Sequence, residues 1–491
     1  MAEQVEEPSM RPSDPWGGPK ILTKKRNGAY TWQVIAGSAT LGLVVATGAV
    51  LAAGPWDNGQ RKAERALAAA GDRTGGAHHG RPTPEGPRPA PSAPAVLPAL
   101  GTTTHDAPQD PAALRDTLAP LIGDPGLGDK VAASVIDTAT GEQLYGRGAT
   151  TPMTPASTIK IATATAALSV LGPDHRIATT AALSPDSRTV TLVGGGDPTL
   201  SKAALREMAA DTADALSEDD RDSVRLTYDI SRYTGPVLHP ISPNDNIAPV
   251  TALMVNEGRV NDTDRGPAKR TEDPAGDAAR TFAAALKKAG VKVTGAPREA
   301  RAADEARTVA THRSAPLDAL VERTLTNSDN DIAEALARQT AIAKGESASF
   351  AGARRAVTNE LKKIEVPVGG AHFADGSGLD RKDRVTPALL TALLARAADP
   401  DRPGLRPVLT GLPVAGFSGT LGGRYAPDAE GTGLIRAKTG TLFGVNSLAG
   451  TVVDRQGRLL AFAFLASGSI DAGQAEPALD ALATALAGTG G

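Results

Sequence analysis

The hydrophobic and polar positions divide the chain into an apolar segment near the N terminus, a proline-rich stretch and a long remainder patterned like a folded domain. In the apolar segment, Val34–Ala53 is 20 residues of mostly Val, Ala, Leu and Gly without a charged side chain. About 20 apolar residues span the hydrocarbon core of a bilayer. We therefore predict a transmembrane signal-anchor at residues 31–54.

The orientation of this anchor follows from the basic side chains that precede it, because such residues stay in the cytoplasm. These are Lys20, Lys24, Lys25 and Arg26. The sequence thus predicts a single-pass protein of the cell membrane, with residues 1–30 as a cytoplasmic tail and the bulk of the chain outside. A cleaved signal peptide is the alternative, although its apolar region is usually shorter, about 7 to 15 residues.

Residues 55–108 contain many prolines and glycines and few aliphatic side chains. This composition cannot bury a core, and it predicts a semi-rigid, disordered linker. About 50 extended residues at about 3.1 Å each reach on the order of 150 Å. The following domain would therefore reach structures far from the membrane.

The remainder shows the apolar runs of strands and the 3.6-residue spacing of helices. Two hairpins are predicted near its ends, and a helix follows the second. The first hairpin joins Val131–Asp137 to Gln143–Tyr145, the second joins Ser447–Val453 to Arg458–Leu465, and the helix covers Pro477–Leu486. These elements predict an α+β fold in which an antiparallel sheet and a helical subdomain enclose a cleft.

Residues 173–304 have patterns of their own and are predicted to form an inserted domain. They contain the strand-like runs Thr189–Val193 and Val224–Asp229 and a helical run at Ala278–Ala289. The domain around the insertion would then consist of residues 109–172 and 305–490.

Composition adds limits to this picture. The chain has 52 basic and 55 acidic residues, and its net charge of −3 gives no nucleic-acid signature. It has no cysteine, which excludes disulfides and cysteine-ligated metals, and its seven histidines form no H-E-x-x-H zinc motif. We predict no metal, no cofactor and no nucleic-acid partner.

Candidate chemistry begins with the S-x-x-K pattern formed by Ser157 and Lys160. A serine hydroxyl needs an adjacent base, and a lysine can serve when burial or a neighbouring cation lowers its pKa. Pro155 and the apolar run Ile161–Leu168 predict a buried helix that starts at Ser157, which places the two side chains on one face. A lone match of this kind also fits an N-capping serine with an exposed lysine.

Two further triplets follow in the order expected of serine acyl-transfer enzymes. Ser328-Asp329-Asn330 precedes a predicted helix over Asp331–Thr340, and Lys438-Thr439-Gly440 lies on a predicted edge strand that lines the cleft. Taken singly, Ser328 or Asn330 could cap that helix, and the K-T-G triplet could be a turn. The ordered set of three motifs predicts an enzyme that attacks amide bonds.

At these motifs the chain resembles the penicillin-binding serine D-alanyl-D-alanine carboxypeptidases, in the low-molecular-mass class C group. The similarity runs from about Ala112 to Ala487 and includes further strings outside the triplets. These are Gly194–Leu200, Ala252–Glu257, Asp375–Leu379 and Gly416–Leu421. Asp380 departs from the serine typical of its position. The resemblance implies a penicillin-binding/serine β-lactamase-like transpeptidase fold with an inserted domain.

The resemblance also implies roles for the motif residues. Ser157 would attack the carbonyl between two D-alanines, with Lys160 as proton acceptor and Ser328 and Asn330 relaying protons and holding the substrate. Lys438 would carry a positive charge that keeps Lys160 neutral and, with Thr439 and Gly440 of the same triplet, would bind the terminal carboxylate.

Further positions follow from the same resemblance. The backbone N–H groups of Ser157 and Thr441 would form the oxyanion hole. Asp197 and Arg381 would recognise the zwitterionic end of a diaminopimelic side chain, since a carboxylate suits an ammonium and a guanidinium suits a carboxylate. Without such a role, Asp197 would be a turn residue before a proline and Arg381 a solvated charge on a loop. The implied partners are peptidoglycan stem peptides and β-lactam antibiotics.

The carboxypeptidase could also act as an endopeptidase on cross-links. Two alternatives to it remain open. A serine β-lactamase uses the same three motifs, but no E-x-x-L-N string follows Ser328 and Glu360 lacks that context. A non-catalytic protein that binds muropeptides or β-lactams could retain the fold, although the intact set of Ser157, Lys160 and Lys438 argues against it.

Overall fold

The computed structural model of the protein describes residues 111–241, 244–426, 429–469 and 471–488. The predicted tail, signal-anchor and linker lie outside these residues. Within the described ranges, no helix is both long and apolar enough to cross a membrane.

The described part contains strands and helices that we number in chain order. The strands are β1 Lys130–Asp137, β2 Gln143–Arg147, β3 Ala178–Leu183, β4 Thr189–Val193, β5 Ser223–Asp229, β6 Lys292–Val293, β7 Arg298–Glu299, β8 Arg307–Arg313, β9 Ile435–Leu442, β10 Val445–Val453 and β11 Leu459–Ser467. The helices are α1 Pro111–Ile122, α2 Lys160–Leu171, α3 Lys202–Glu218, α4 Pro274–Lys288, α5 Leu317–Asn327, α6 Asn330–Ala343, α7 Phe350–Lys363, α8 Pro387–Ala398, α9 Pro407–Thr410 and α10 Ala472–Ala487.

A five-stranded antiparallel sheet in the order β2-β1-β11-β10-β9 forms the centre of the molecule. Both predicted hairpins are confirmed, and the K-T-G strand β9 lies at the edge of the sheet, as predicted. The sheet is apolar on both faces because both are covered. One face packs against α1 and α10 through Leu448, Phe462 and Phe464, and the other meets a helical cluster through Ala449 and Leu465.

The helical cluster consists mainly of α2, α5, α6, α7 and α8. Helix α2 is apolar all round and is buried from Lys160 to Leu168, as expected for a helix at the centre of a bundle. Helix α6 packs directly against α2 and α7. The first turns of α2 and α6 therefore meet in front of strand β9, where the cleft was predicted.

The inserted segment forms a second sheet in the order β6-β5-β4-β3-β8, with β7 beside β5. The sheet is mixed, since β4 and β5 are parallel while β3 and β4 are antiparallel. Helices α3 and α4 cover its core. Strand β8 belongs to this sheet although it lies beyond residue 304, where the sequence ends the insertion. This edge strand buries only Ala310, so its hydrophobic pattern is weak.

The predicted helix start at Ser157 is wrong by three residues. Ala156–Ile159 form a 3-10 turn, and the α-helix begins at Lys160. The difference is local, because the Lys160 N–H donates to the Ser157 carbonyl three residues back, which makes this turn 3-10 and not α-helical.

Candidate active site

The nucleophile candidate Ser157 lies on a turn that is held by a single carbonyl group. The Pro155 carbonyl accepts hydrogen bonds from the Thr158 hydroxyl at 2.7 Å and from the Ser447 hydroxyl of β10 at 2.6 Å. These bonds fix the turn to the sheet. Ser157 itself is only half-buried, so its hydroxyl is accessible from the cleft.

Lys160 lies behind this hydroxyl and is completely buried. Its Nζ lies 3.0 Å from Ser157 Oγ, 2.7 Å from Asn330 Oδ1 and 2.5 Å from the Ser377 carbonyl oxygen. The predicted pairing of Ser157 with Lys160 is thus present, and one residue of the second motif completes it.

The electrostatics around Lys160 explain how it can act as a base. Burial lowers the pKa of Lys160 to about 8, although several buried carboxylates nearby oppose this shift. These are Asp375, Asp329, Glu334 and Asp383. A lysine with this pKa is partly neutral near physiological pH, as a proton acceptor must be.

Lys438 of β9 is also fully buried, and its Nζ donates to the Thr439 carbonyl at 2.8 Å. Burial, followed by the nearby charges of Lys160 and Arg424, lowers the pKa of Lys438 well below its ordinary value. In the free site, carboxylates surround Lys160 and cations surround Lys438. The carboxylates near Lys160 thus favour its charged form, whereas the cations near Lys438 oppose the positive charge that the resemblance implies for it.

The second motif connects helices α5 and α6. Ser328 ends α5 in a left-handed conformation with a φ of +58°. Asp329 caps α6 by accepting from the Ile332 N–H at 3.0 Å, so neither alternative capping residue, Ser328 or Asn330, has that role. Asn330 instead accepts from Lys160 and donates through Nδ2 to the Asn246 carbonyl at 2.9 Å.

The third motif brings strand β9 against the Ser157 turn. A Cβ at Gly440 would lie 2.7 Å from the Pro155 carbonyl oxygen and 3.0 Å from the Ser157 nitrogen. Only glycine permits this approach. Thr439 is oriented by a hydrogen bond of 2.8 Å to the Thr420 hydroxyl.

A small cavity of about 190 Å³ is lined by residues of the first two motifs and by Thr441, the residue after the third. Its lining includes Ser157, Ser328, Asn330, Leu379, Thr441, Asn246, Arg259 and Arg270. The last three come from the inserted segment, so that segment forms one wall of the site.

The structure places the two predicted diaminopimelate-binding residues outside this lining. Asp197 is buried at the end of β4, where one carboxylate oxygen accepts from the Thr199 N–H and hydroxyl at 2.8 and 2.6 Å. Its other oxygen lies 4.0 Å from His312 Nε2, and burial raises the pKa of Asp197. Arg381 donates to the Phe443 carbonyl at 2.9 Å, next to the β9–β10 turn.

Sequence reasoning missed two groups that define the site. The Ser377 carbonyl accepts from Lys160, and Glu334 holds the backbone N–H groups of Gly376 and Ser377 at 2.8 and 3.0 Å. The signal available was the D-G-S-G-L string, whose glycines allow a tight loop. Gly378 has a φ of +85°.

Comparison with known proteins agrees with this geometry. Residues 114–267 and 263–488 match the family described as D-Ala-D-Ala carboxypeptidase 3 (S13). The chain belongs to this family. The resemblance identified from the sequence motifs is thus confirmed.

This S13 family member is similar over most of its length to proteins of mycobacteria. Carboxypeptidase Rv3627c of Mycobacterium tuberculosis is 39% identical over 420 residues, which cover 82% of this chain and 88% of the relative. Carboxypeptidase DacB of Mycolicibacterium smegmatis is 37% identical, with 83% and 90% covered.

A solved structure shows the same fold. Penicillin binding protein 4 (dacB) from Haemophilus influenzae superposes with a TM-score of 0.63 at 22% identity, covering 75% of this chain and 98% of that chain. The penicillin-binding fold, with its antiparallel and mixed sheets, is therefore confirmed.

Proposed function

We propose that this protein is a serine D-alanyl-D-alanine carboxypeptidase that cleaves peptidoglycan stem peptides through an acyl-enzyme on Ser157. The observation that carries the proposal is the contact of an accessible serine hydroxyl with a fully buried lysine amine at 3.0 Å. Membership of the S13 family supplies the substrate class.

Acylation begins when the Ser157 hydroxyl attacks the carbonyl carbon of the penultimate D-alanine. The hydroxyl proton passes to neutral Lys160, and a bond forms between Oγ and the carbonyl carbon. The backbone N–H groups of Ser157 and Thr441 stabilise the oxyanion, and such donors are each worth on the order of 10² to 10³ in rate. Collapse breaks the peptide bond, and the leaving amine takes up a proton through the Lys160, Ser328 and Asn330 group.

Substrate binding also sets the charge on the two lysines. The terminal carboxylate of the peptide would lie beside Lys438 and Thr439, and this negative charge raises the pKa of Lys438. Positive charge on Lys438 then disfavours a second charge on Lys160, because two buried cations repel. Lys438 thus gains the charge predicted for it only when substrate is bound.

Water then attacks the acyl carbonyl while Lys160 accepts its proton; the bond between Oγ and the carbonyl carbon breaks, the shortened peptide leaves, and Lys160 returns the proton to Ser157 Oγ. The same acyl group forms whether the leaving amine is D-alanine or the side chain of diaminopimelic acid in a cross-link. We propose that Asp197 and Arg381 recognise the zwitterionic end of a free diaminopimelic side chain, one whose amine is not part of a cross-link. The assignment is supported by charge, since the Asp197 carboxylate suits the ammonium of the ligand and the Arg381 guanidinium suits its carboxylate.

β-Lactams are proposed as acylating inhibitors. They carry a strained amide and a carboxylate, the two groups that Ser157 and Lys438 would engage. A β-lactam complex has been solved for the Haemophilus influenzae protein.

The proposed location is the outer face of a cell membrane, with residues 31–54 as a retained anchor and residues 55–108 as the linker. Support comes from the uncharged apolar run and the basic residues before it.

The function is tested by incubating the full-length protein, purified in detergent, with penicillin and following its intact mass from seconds to hours. We expect a long-lived adduct in the wild type and in Ser217→Ala, an exposed helical serine of the insertion, but none in Ser157→Ala or Lys160→Ala. Release of D-alanine from a peptide ending in D-Ala-D-Ala should show the same pattern.

Other outcomes would replace the proposal. An adduct that disappears within seconds would indicate a β-lactamase, and a folded protein that forms no adduct would indicate a binding protein. Normal acylation of Lys160→Ala would remove that residue as the base.

A further inference from the structure

The direction in which Lys160 offers its lone pair depends on a backbone carbonyl. A neutral amine has two N–H groups and one lone pair. Asn330 Oδ1 at 2.7 Å and the Ser377 carbonyl at 2.5 Å can only accept, whereas Ser157 Oγ at 3.0 Å can also donate. When both acceptors are in place, the lone pair is left for the Ser157 hydroxyl. A displaced Ser377 carbonyl would free an N–H group to compete for that position.

The Ser377 carbonyl belongs to a loop that is folded around the carboxylate of Asp375. Its Oδ1 accepts from the N–H groups of Ser377 and Gly378 at 3.0 and 2.6 Å, and its Oδ2 accepts from the Asp380 N–H at 2.8 Å. The loop also touches the nucleophile turn, because a Cβ at Gly378 would overlap the Ala156 carbonyl. The Asp375 carboxylate, together with Glu334 at the N–H groups of Gly376 and Ser377, therefore sets where the loop places its carbonyl.

A histidine from the inserted segment fixes that carboxylate. His239 is 4% exposed, and its Nε2 lies 2.8 Å from Asp375 Oδ2. Its Nδ1 accepts from the Ile241 N–H at 3.3 Å, which places the proton of the neutral ring on Nε2, where it points to Asp375. The ring edge packs against Phe350 of α7 with centroids 5.4 Å apart. The position of the ring is therefore set on three sides.

The charged groups that face His239 come from two other elements. Asp375 and Asp380 lie on the loop and Glu334 lies on α6, and all three favour the protonated ring. Arg338 of α6 lies over the face of the same Phe350 ring, 4.0 Å from its centroid, and pairs with Glu334 at 3.3 Å. Burial opposes protonation, and the balance raises the pKa of His239.

We propose that His239 is a positioning residue for the acyl transfer: by donating to Asp375, it fixes the loop that presents the Ser377 carbonyl to Lys160. This inference rests on the proposed function, since it assigns a supporting group to the same base. It gives the inserted segment a part in the chemical step as well as in forming the wall of the cavity.

The test compares substitutions at His239 in the full-length protein with penicillin and a D-Ala-D-Ala peptide as substrates. His239→Leu removes the donor, His239→Gln offers an amide N–H near the position of Nε2, and His239→Asn offers one that is too short to reach. His175→Leu, at a half-buried histidine in the loop between α2 and β3, is the matched control. Acylation rate, kcat and KM are measured from pH 6 to 9.

We expect His239→Leu and His239→Asn to lose about 10- to 100-fold in acylation rate and kcat with little change in KM, as for a slightly misplaced catalytic group. The acylation rate and kcat of His239→Gln and His175→Leu should remain within about threefold of the wild type, because neither change misplaces the loop. The rise of the acylation rate with pH should move to higher pH in the Leu variant, because Asp375 loses the His239 N–H that compensates its charge and then favours protonated Lys160 more strongly.

Several results would overturn the role of His239. These are a Leu variant that acylates at the wild-type rate, a raised KM with unchanged kcat, or equal losses in the Gln and Asn variants. If His239→Leu fails to fold, the Gln and Asn pair decides alone. A wild-type protein that forms no adduct would overturn the proposed function itself, so the two failures are distinguishable.

Discussion

At the scale of single residues, the reactivity proposed for Ser157 would depend on the protonation of one buried amine, that of Lys160. The pKa of Lys160, lowered to about 8, means that the neutral form gains population as pH rises through that value. We expect the second-order rate constant of acylation by penicillin to rise with pH and to level off above about 8, since this constant reports the free enzyme. Stopped-flow measurements with a fluorescent penicillin check this. A rate constant that is flat between pH 6 and 9 would contradict the assignment of the base.

A second residue-scale prediction concerns the glycine of the third motif. In Gly440→Ala the methyl group would meet the Pro155 carbonyl and the Ser157 nitrogen and force β9 away from the nucleophile. We expect stability to fall by about 1–3 kcal/mol, the usual cost of overpacking, and acylation to fall by about 100-fold or more. Thermal unfolding and intact-mass kinetics measure the two effects.

The matched control for that substitution is Gly369→Ala. The added methyl group has no atom within 4 Å there, and the backbone is not left-handed. It should leave acylation unchanged. Equal behaviour of the two variants would mean that the close approach of β9 has no part in the reaction.

The motif residues that meet at Ser157 could be predicted because each motif carries a side chain with its own chemistry. The Ser377 carbonyl could not, since every residue has a carbonyl and only the folded loop decides which one faces Lys160. The 3-10 turn before α2 was missed for a similar reason. The apolar run after Ser157 predicts a helix, while its first residue depends on whether the backbone N–H groups bond three or four residues back, which the pattern does not encode.

At the scale of elements, helix α6 joins the three parts of the site. Its first turn holds Lys160 through Asn330 and holds the inserted segment through Asp331, whose oxygens accept from the Ala248 N–H at 2.9 Å and Arg270 Nη2 at 3.0 Å. One turn later, Glu334 binds the loop that carries Ser377. The hairpins and this helix were predictable from periodicity. The attachment of the insertion to α6 was not, because it depends on pairs that are distant in the sequence.

This attachment predicts a large effect of breaking one buried ion pair. Arg270 and Asp331 have side chains that are 5% and 1% exposed. Asp331→Ala leaves the guanidinium buried without its partner, which should cost about 3–5 kcal/mol. The double variant Arg270→Met with Asp331→Ala removes both charges and should recover much of this loss, and Arg270→Met alone completes the cycle. Denaturant unfolding of the four proteins of the cycle gives the coupling energy.

An exposed pair provides the control for that cycle. Arg355 and Glu346 lie 2.8 Å apart at the surface, and Glu346→Ala should change stability little because solvent screens the interaction. If Asp331→Ala were no more harmful than Glu346→Ala, the buried pair would not be what holds the insertion to α6.

At the scale of the whole molecule, the described catalytic groups all come from residues 157–441, and the family match begins only at residue 114. The chemistry should therefore be independent of the N-terminal hundred residues, which would serve location. We expect the full-length chain to sediment with membranes and a chain that begins at Pro108 to remain in the soluble fraction. Both should form the penicillin adduct at the same rate. A full-length chain found in the soluble fraction would refute the anchor, whereas a folded but unreactive shorter chain would show that the N-terminal part contributes to the site.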